Sequence, residues 1–405
     1  MSRVPAIDDL DVAGRRVILR ADLNVPLEGG EVRDATRIER VVPTIRELVD
    51  RGAAVIVLSH FGRPNGRVVP EMSLEPVAAA LARALGGKVE FVATDWRDGA
   101  ARAAAAAAQP GDVLLMENTR FHPGEEANDA AFASTLSELG DVYVNDAFSA
   151  AHRAHASTEA IARRLPAAAG RAMQAELAAL SRVLETPQRP VAAVVGGAKI
   201  STKLDLLANL TAKVDTIVIG GGMANTFLAA QGRPVGRSLC EHNLLETARQ
   251  TLQAAERAGC RLLLPVDVVV AGELAENAPS RTVGVDEVQA DEMILDVGEA
   301  TVGQIVEVFE AARTLVWNGP LGAFETRPFD AGTVAAARAA ARLTRDGSLV
   351  SVAGGGDTVA ALAAAGVIDD FTYVSTAGGA FLEWLEGKAL PGVEVLKMRA
   401  SGSSA

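Results

Sequence analysis

The apolar positions of this chain form two alternating patterns: short unbroken runs, and longer stretches with apolar residues at helical spacing. In the first half the short runs are rich in β-branched residues, as expected for strands buried on both faces of a parallel sheet. These runs are RVILRAD at 16–22, AAVIVLS at 53–59, DVLLMEN at 112–118 and DVYVND at 141–146. In the stretch 34–50 the apolar residues from Ile38 to Val49 fall on one stripe, and Asp34 is placed to cap the predicted helix. Strand and helix alternate, so the pattern predicts an α/β fold.

The same alternation starts again after Pro190. The second series of apolar runs is VAAVVGG, TIVIGGG, RLLLPVDVVV, TLVWNGP and SLVSVAGGG, beginning at residues 191, 216, 261, 314 and 348. Between the two series lies a helical stretch at 172–184, preceded by Pro166 and followed by Pro187. Proline breaks helices, so this segment is predicted to be a bounded connecting helix and a hinge. We therefore predict an α/β protein with two doubly wound parallel-sheet domains joined by a hinge helix.

Composition narrows the choice of partners. The 405 residues carry a formal net charge of −12, which disfavours binding to nucleic acid or to an anionic membrane because both require a basic surface. The first residues include acids where a secretion signal would be apolar, and no run is long enough to cross a bilayer, so a cytoplasmic location is expected. Only Cys240 and Cys260 occur, and no Cys/His cluster has zinc spacing.

Polar and charged side chains gather where the predicted strands of the first half end. Ligands bind beyond the carboxyl ends of strands in an open parallel sheet. Arg37 lies in the first turn of the predicted helix, where a cation opposes the helix dipole unless an anion is bound there. Any single arginine could be a solvated surface residue, but several at successive strand ends favour an anion site. The residues concerned are Asp22, Asn24, Arg37, His60, Arg63, Arg120, Asn145, Asp146 and Arg153.

The second half has glycine at the corresponding places. GGAK at 196–199, GGGM at 220–223 and GGGDT at 354–358 each follow an apolar run. Glycine lets backbone N–H groups approach phosphate oxygens, although each loop by itself could be a simple turn. Lys199 and Lys203 are predicted at the opening of one helix, where their charges repel unless a polyphosphate lies between them. Asp357 is the natural carboxylate for Mg²⁺, so the pattern predicts a nucleotide site.

Other interpretations fit parts of this pattern. A nicotinamide-dependent oxidoreductase also has two α/β domains, but GGGMAN and GGGDTV lack the third glycine of the dinucleotide fingerprint. A non-catalytic scaffold that binds a nucleotide would not need Arg37 and the lysine pair. His152 and His155 have the spacing of one helical turn, but no neighbouring Cys, Asp or third His completes a metal site.

A series of motifs along the chain carries a resemblance to a known family. In order they are RADLNVP, DATRI, SHFGRP, ENTRFHPGE, AHRAH, GGAKISTK, GGGMANTF, WNGPLGAFE, GGGDT and STAGGAFLE. With these motifs over nearly its whole length, the chain resembles phosphoglycerate kinase. The resemblance implies reversible, Mg²⁺-dependent phosphoryl transfer between ATP and the carboxylate of 3-phosphoglycerate, giving ADP and 1,3-bisphosphoglycerate, in glycolysis. It also implies a monomer that closes by hinge bending.

The resemblance further implies the domain bounds. A 3-phosphoglycerate domain is expected at 1–168, with the tail 388–405 packing back onto it. A hinge helix is expected at 169–187, and a nucleotide-binding domain at 188–387.

Carried over position by position, the resemblance also assigns site residues. Arg37, Lys199 and Lys203 are implied to be catalytic, and Asp357 to hold the metal. Asn318 matches a residue near the α-phosphate, and Glu325 one that holds the ribose hydroxyls. The acid-substrate site comprises Asp22, Leu23, Asn24, Arg37, His60, Phe61, Gly62, Arg63, Arg120 and Arg153. The nucleotide site comprises Lys199, Lys203, Asn318, Glu325, Gly355, Gly356, Asp357 and Thr358.

The chain departs from the usual family pattern at two places. It has Ser149 and Ala150 where the family usually has Gly-Thr before AHRAH, and Ala377 where the family usually has the first of three glycines. Neither departure removes a charged group. They mark the loops near Arg153 and before the last predicted helix of the nucleotide-binding domain as places where this chain can differ.

Overall fold

The computed structural model describes residues 3–402, without the side chains of 399–402. The chain divides into two compact units, residues 1–177 with 389–405, and residues 178–388. Each unit is built around a six-stranded sheet with helices between its strands. The predicted α/β class with two parallel sheets is therefore confirmed.

The sheet of the first unit is parallel throughout, with the strand order β5-β6-β4-β1-β7-β8. Its four predicted strands are present and almost entirely buried, which explains why their sequences are apolar on both faces. A short antiparallel hairpin, β2–β3, lies outside this sheet. The strands are β1 (Arg16–Arg20), β2 (Leu27–Glu28), β3 (Glu31–Val32), β4 (Ala54–Leu58), β5 (Glu90–Val92), β6 (Val113–Met116), β7 (Val142–Asn145) and β8 (Ala167–Ala169).

The second unit contains a parallel sheet with the order β11-β10-β9-β15-β16-β17 and a separate antiparallel sheet with the order β13-β12-β14. The strands are β9 (Val191–Val195), β10 (Thr216–Ile219), β11 (Arg261–Leu263), β12 (Asp267–Ala271), β13 (Ser280–Gly284), β14 (Met293–Val297), β15 (Thr314–Asn318), β16 (Val350–Gly354) and β17 (Tyr373–Ser375).

The interpretation of RLLLPVDVVV as one strand was wrong. The segment divides into β11 and β12, which belong to different sheets, and Pro265 lies between them. Proline cannot donate a ladder hydrogen bond, so a continuous strand through this position is disfavoured. The antiparallel sheet places β12 and β14 beside the glycine loops described below.

The helices fill the intervals between strands. They are α1 (Thr36–Asp50), α2 (Glu75–Leu85), α3 (Ala100–Ala107), α4 (Ala130–Ser137), α5 (Arg171–Leu184), α6 (Leu204–Thr211), α7 (Gly221–Ala230), α8 (Leu245–Ala258), α9 (Glu299–Ala311), α10 (Ala331–Arg345), α11 (Gly356–Ala364), α12 (Gly379–Leu385) and α13 (Pro391–Gly402). Among the described residues, no helix combines the length and apolar composition needed to cross a bilayer.

Helix α1 begins later than predicted. Its N-cap is Ala35, whereas Asp34 lies one residue earlier and accepts hydrogen bonds from the Thr36 backbone N at 2.8 Å and the Thr36 hydroxyl at 2.6 Å. The predicted stripe is otherwise correct, because Ile38 and Leu48 are both fully buried. The prediction of Asp34 as the cap was wrong by one position.

The lysine segment was also predicted incorrectly. Residues Ile200–Thr202 form a 3₁₀ turn, and Lys203 is the N-cap of α6, so the two lysines do not open one α-helix. Glu241 holds this turn by accepting hydrogen bonds from the Ser201 backbone N at 2.9 Å and the Ser201 hydroxyl at 2.7 Å. This tertiary contact favours a tighter turn than the local sequence suggests.

The two chain connections between the units are at α5 and near residue 388. The boundary between the units falls within α5, between residues 177 and 178. After residue 388 the chain rejoins the first unit, where α13 contacts β8 and the Gly392 backbone N donates to the Ala151 carbonyl at 2.9 Å.

Candidate active site

In the first unit, the candidate residues follow strands that are neighbours in the sheet. β1 pairs with β4 on one side and with β7 on the other. All three run parallel, so the loops that follow them emerge at the same edge. These loops carry Asp22 and Asn24 after β1, His60 and Arg63 after β4, and Arg153 after β7.

Asp22 and Arg37 form an ion pair at this edge. Arg37 Nη1 lies 3.1 Å from Asp22 Oδ2 and donates to the Asn24 carbonyl at 2.9 Å. The sequence suggested an uncompensated cation at the start of α1, and the structure supplies Asp22 as its partner. The Nε and Nη2 groups of Arg37 donate to none of the described residues. That side of the guanidinium therefore keeps its capacity to bind an anion.

His60 is buried and neutral. Its Nδ1 lies 3.0 Å from Arg20 Nη2, and because a guanidinium can only donate, Nδ1 accepts and the ring proton resides on Nε2. Burial, followed by the charges of Arg20 and Arg120, holds the pKa of His60 well below its ordinary value. His60 is therefore a hydrogen-bond donor through Nε2.

Sequence reasoning missed Arg20. The side chain is only 1% exposed, and its Nε donates to Ser157 Oγ at 2.8 Å. A charged residue inside the apolar run RVILRAD was the available signal, because such a residue is rarely buried without partners. Arg20 also donates to Nδ1 of His60, and this contact leaves the ring proton of His60 on Nε2.

The SHFGRP loop is fixed by amide and guanidinium contacts. The Gly62 backbone N donates to Asn24 Oδ1 at 3.0 Å, and Arg120 Nη1 donates to the Gly62 carbonyl at 2.7 Å. Asn118, which sequence reasoning did not select, accepts from the Phe61 backbone N at 3.1 Å and donates to the Phe61 carbonyl at 2.7 Å. The predicted residues Asn24, Phe61, Gly62 and Arg120 therefore lie together, with Arg120 buried rather than exposed at the rim.

Arg63 and Arg153 are exposed at this edge. Arg63 makes no side-chain hydrogen bond or ion pair with the described residues. Burial is the largest cause that lowers the pKa of His155 to about 3, and the charges of Arg20, Arg120 and Arg153 add to it. Arg153 is thus close enough to act electrostatically on His155. Within residues 3–402, no cluster of three or more metal-ligating residues was found, including at His152 and His155.

In the second unit, the loops after β9 and β15 approach each other closely. The Gly196 backbone N donates to the Asn318 carbonyl at 2.9 Å. A Cβ on Gly319 would lie 2.2 Å from the Gly196 carbonyl oxygen, so only glycine permits this approach. β9 and β15 are adjacent, and the chain adds strands outward on either side of them. Such a switch point is where doubly wound sheets bind ligands.

Polar side chains tie these loops to the GGGDT segment. Lys203 Nζ donates to Asn318 Oδ1 at 2.5 Å, and Asn318 Nδ2 donates to the Gly354 carbonyl at 2.8 Å. Thr358 Oγ1 accepts from the Gly319 backbone N at 2.7 Å. Burial lowers the pKa of Lys203. The structure thus brings Lys203, Asn318 and Thr358 together at the N-terminus of α11.

The other predicted nucleotide residues surround this cluster. Gly355 is the N-cap of α11 with φ +101, a conformation that favours glycine, and Gly356 is the first residue of the helix. Asp357 is exposed in the first turn. The side chain of Lys199 is exposed, and its ammonium group donates no hydrogen bond to the described residues, although the Lys199 carbonyl accepts from the Thr202 hydroxyl at 2.9 Å.

A cleft of about 540 Å³ opens beside these loops. Its lining includes backbone at Gly197 and Gly221, the apolar side chains of Leu239 and Leu274, and the carboxylates of Glu325 and Asp357. Leu239 and Leu274 are 51% and 52% exposed, so they present apolar surface to the cleft, as the walls of ligand sites usually do. Sequence reasoning missed these two cleft-lining residues because neither leucine lies in a motif. Only the fold brings them to the glycine loops.

Two doubly wound units, one with a cationic edge and one with glycine loops around a cleft, define a small-molecule kinase. A family model described as phosphoglycerate kinase matches residues 7–388. A phosphoglycerate kinase from Methylobacterium radiotolerans is 65% identical over 400 residues, covering 98% of this chain and 100% of that protein. One from Sphingopyxis alaskensis is 63% identical over 398 residues, with coverage of 98% and 100%.

Solved structures give the same result. The structure of phosphoglycerate kinase from Coxiella burnetii has a TM-score of 0.92 and 45% identity, covering 98% of this chain and 100% of that chain. The enzyme from Pyrococcus horikoshii has a TM-score of 0.81 and 30% identity, with coverage of 98% and 99%. The chain belongs to the phosphoglycerate kinase family and is a phosphotransferase of glycolysis. The resemblance is confirmed, and the oxidoreductase and scaffold alternatives are set aside.

Proposed function

We propose that the first unit binds 3-phosphoglycerate and the second binds Mg·ATP, and that the γ-phosphoryl group is transferred reversibly to the substrate carboxylate. In the direction that consumes ATP, a carboxylate oxygen of 3-phosphoglycerate forms a bond to the γ-phosphorus. The bond from that phosphorus to the β,γ-bridging oxygen breaks, and ADP leaves. The observation that carries the proposal is the cationic edge formed by the loops after β1, β4 and β7.

The acid substrate has two anionic ends, which suits the groups at this edge. Arg63 and Arg153 are exposed cations, and His60 offers a neutral Nε2–H donor. Guanidinium groups bind phosphate and carboxylate through paired N–H donors. We assign 3-phosphoglycerate binding to Asp22, Leu23, Asn24, Arg37, His60, Phe61, Gly62, Arg63, Arg120 and Arg153.

The nucleotide is assigned to the cleft of the second unit. Leu239 and Leu274 offer apolar surface to the base, and Glu325 offers a carboxylate to the ribose hydroxyls. The N-terminus of α11 and the Lys203 ammonium group favour the phosphates. The assigned residues are Lys199, Lys203, Asn318, Glu325, Gly355, Gly356, Asp357 and Thr358.

Asp357 is the residue that would hold a metal ion bound to the nucleotide phosphates. Asp357 is an exposed carboxylate in the first turn of α11, and Mg²⁺ bound to phosphates needs only one or two protein carboxylates. The donor set therefore fits Mg²⁺, which would neutralise charge on the β and γ oxygens.

The chain's own residues position the reactants and neutralise charge. A carboxylate acceptor is already deprotonated at neutral pH, so no general base is needed. Arg37 and Lys199 are assigned to stabilise the transferring group, and Lys203 to follow the phosphate. The two sites belong to different units, so we propose closure about the connecting segment 169–187, which excludes water from the reaction. The family pattern also supports a monomeric enzyme in the cytoplasm.

The proposal is tested by a coupled assay of the chain with Mg·ATP and 3-phosphoglycerate, together with the Arg37→Ala variant. We expect kcat to fall by roughly a hundredfold or more, because a preorganised contact to the transferring group is lost. Arg46→Ala is the matched control, since Arg46 lies on the same helix, is exposed, and contacts the Ala84 carbonyl at 3.0 Å. Wild-type inactivity would refute the function, and normal turnover of Arg37→Ala would remove Arg37 from the mechanism.

A further inference from the structure

Ser149 is one of the two places where the chain departs from the family pattern, and the structure gives its side chain a specific partner. It lies in the 3₁₀ turn Phe148–Ala150, four residues after the end of β7, and is half-buried. Its hydroxyl donates to Asp22 Oδ2 at 2.5 Å, across 127 residues of sequence. A glycine at this position could not make the contact.

The Asp22 carboxylate receives donors on both oxygens. Oδ1 accepts from the Asn24 backbone N at 3.1 Å and from Arg37 Nη1 at 3.3 Å. Oδ2 accepts from Ser149 and lies 3.1 Å from the same Arg37 nitrogen. Hydrogen bonds from a hydroxyl to an ionised carboxylate are short and strong. Ser149 therefore restrains rotation of the carboxylate about its Cβ–Cγ bond, and this rotation sets where Arg37 Nη1 is held.

We propose that Ser149 is a positioning residue for phosphoryl transfer, acting through Asp22 on Arg37. The hydroxyl fixes Asp22, Asp22 and the Asn24 carbonyl fix Nη1 of Arg37, and the Nε and Nη2 side of the guanidinium is held ready for the transferring group. This inference rests on the role proposed above for Arg37. A small misplacement of such a group lowers turnover, because catalysis depends on its orientation.

The turn that carries Ser149 does not depend on the serine hydroxyl. The Ala147 backbone N donates to Asn145 Oδ1 at 3.1 Å, and the Ala151 backbone N donates to the Phe148 carbonyl at 2.9 Å. These contacts hold the backbone whatever side chain stands at position 149. The Ser149→Ala variant is therefore expected to keep the fold of this turn, and its melting temperature, measured beside its kinetics, shows whether any loss of kcat is due to unfolding.

The test compares Ser149→Ala, Ser149→Thr and the wild type in steady-state assays with Mg·ATP and 3-phosphoglycerate. We expect Ser149→Ala to lower kcat about tenfold, as for loss of a hydrogen bond to a charged group. The KM for ATP should stay the same, because Ser149 lies in the first unit. Ser149→Thr keeps the hydroxyl and should recover most of kcat. Ser137→Ala is the control, since that hydroxyl bonds only to the Ser134 carbonyl of α4, at 2.7 Å.

A double-mutant cycle separates positioning from a merely structural role. In an Asp22→Ala background, Ser149→Ala should cause no further loss of kcat, because its partner is absent. The inference is overturned if Ser149→Ala turns over like the wild type, if Ser149→Thr is as impaired as Ser149→Ala, or if the two losses multiply in the double variant. If the wild type is active and Ser149→Ala has the same kcat, only this inference is refuted. An inactive wild type would refute the proposed function itself.

Discussion

At the level of single residues, the candidate active site combines buried charges that orient with exposed charges that can bind. Arg20 and Arg120 are buried and hold His60 and the Gly62 carbonyl. Arg63 and Arg153 are exposed. A buried guanidinium is costly unless its donors are satisfied, which explains why these two contact protein groups. The exposed pair remains accessible to an anion, as the proposed substrate site requires.

Arg63→Ala should weaken binding of the acid substrate. We expect the KM for 3-phosphoglycerate to rise by roughly tenfold or more while kcat changes little, because a charge-assisted contact to the ground state is lost. Steady-state kinetics with 3-phosphoglycerate varied at saturating Mg·ATP measure this. Arg83→Ala is the control, since Arg83 is exposed on α2, away from the strand ends. An unchanged KM in Arg63→Ala would exclude Arg63 from the substrate site.

At the level of elements, the start of α5 is joined to the end of β7, the strand that precedes the loop carrying Ser149 and Arg153. Asp146 directly follows β7, and its Oδ1 accepts from the Met173 backbone N at 3.0 Å. The Gly170 backbone N donates to the Asn145 carbonyl at 2.8 Å. The same short segment therefore supports both the connecting helix and the loop that carries Ser149 and Arg153.

Gly170→Ala should destabilise the protein because a Cβ there would lie 2.3 Å from Asp146 Oδ1. We expect the free energy of unfolding to fall by about 1–3 kcal/mol, as for overpacking of a buried site. Gly303→Ala is the matched control: Gly303 lies in α9 with nothing within 4 Å of a new Cβ. That variant should gain about 0.5–1 kcal/mol from its lower backbone entropy. Urea denaturation compares the two, and equal stabilities would contradict the account.

The sequence was sufficient for elements whose apolar pattern is local. β1, β4, β6, β7, β9 and β15 each contain a run of three or more consecutive apolar residues, and α1 shows its apolar stripe, so the type of these elements follows from the sequence pattern. The antiparallel sheet could not be predicted in the same way: β13 is exposed over most of its length and carries no apolar run. The 3₁₀ turn before Lys203 depends on Glu241, 40 residues away. Tertiary contacts of this kind leave no local pattern.

In the candidate site, too, some residues could be predicted from the sequence and others only from the structure. Arg37, His60 and Asp357 could be selected because polar and charged residues at strand ends or helix starts are conspicuous. Arg20 was hidden inside a strand, and Leu239 and Leu274 look like any apolar residue until the fold brings them to the cleft. Residues that work by their chemistry can be recognised from sequence, whereas residues that support them or provide surface require the structure.

At the level of the whole molecule, buried ionisable groups determine the response to acid. The pKa of His155 is lowered from 6.5 to about 3 by burial and by Arg20, Arg120, Arg153 and His152. Below pH 6.5 the unfolded chain binds the proton more readily, so this contribution to stability is present at neutral pH and is lost as the pH falls. Burial raises the pKa of Asp146 to about 6 and of Asp296 to about 7. These carboxyls oppose the trend, because their contribution is lost as the pH rises.

His155→Gln should make the stability less sensitive to acid. Between pH 8 and pH 5 the wild type is expected to lose about 2 kcal/mol through His155, and the variant should lack this share. Urea denaturation at the two pH values gives the difference for each protein, which cancels any constant effect of the substitution. His242→Gln is the control, since that imidazole is exposed. The same pH dependence in His155→Gln and wild type would contradict the assigned burial effect.

The two six-stranded sheets follow different paths of construction. When only the strands of each six-stranded sheet are numbered in chain order, the strand order is 3-2-1-4-5-6 in the second unit and 3-4-2-1-5-6 in the first. In the second unit the third strand of the sheet, β11, pairs with the second, β10, whereas in the first unit the fourth strand, β6, lies between the second, β4, and the third, β5. The halves are thus not tandem copies of one module. In a chimaera that exchanged a strand–helix–strand segment of one half for its counterpart in the other, a strand near the sheet edge would lie at the wrong position in the strand order.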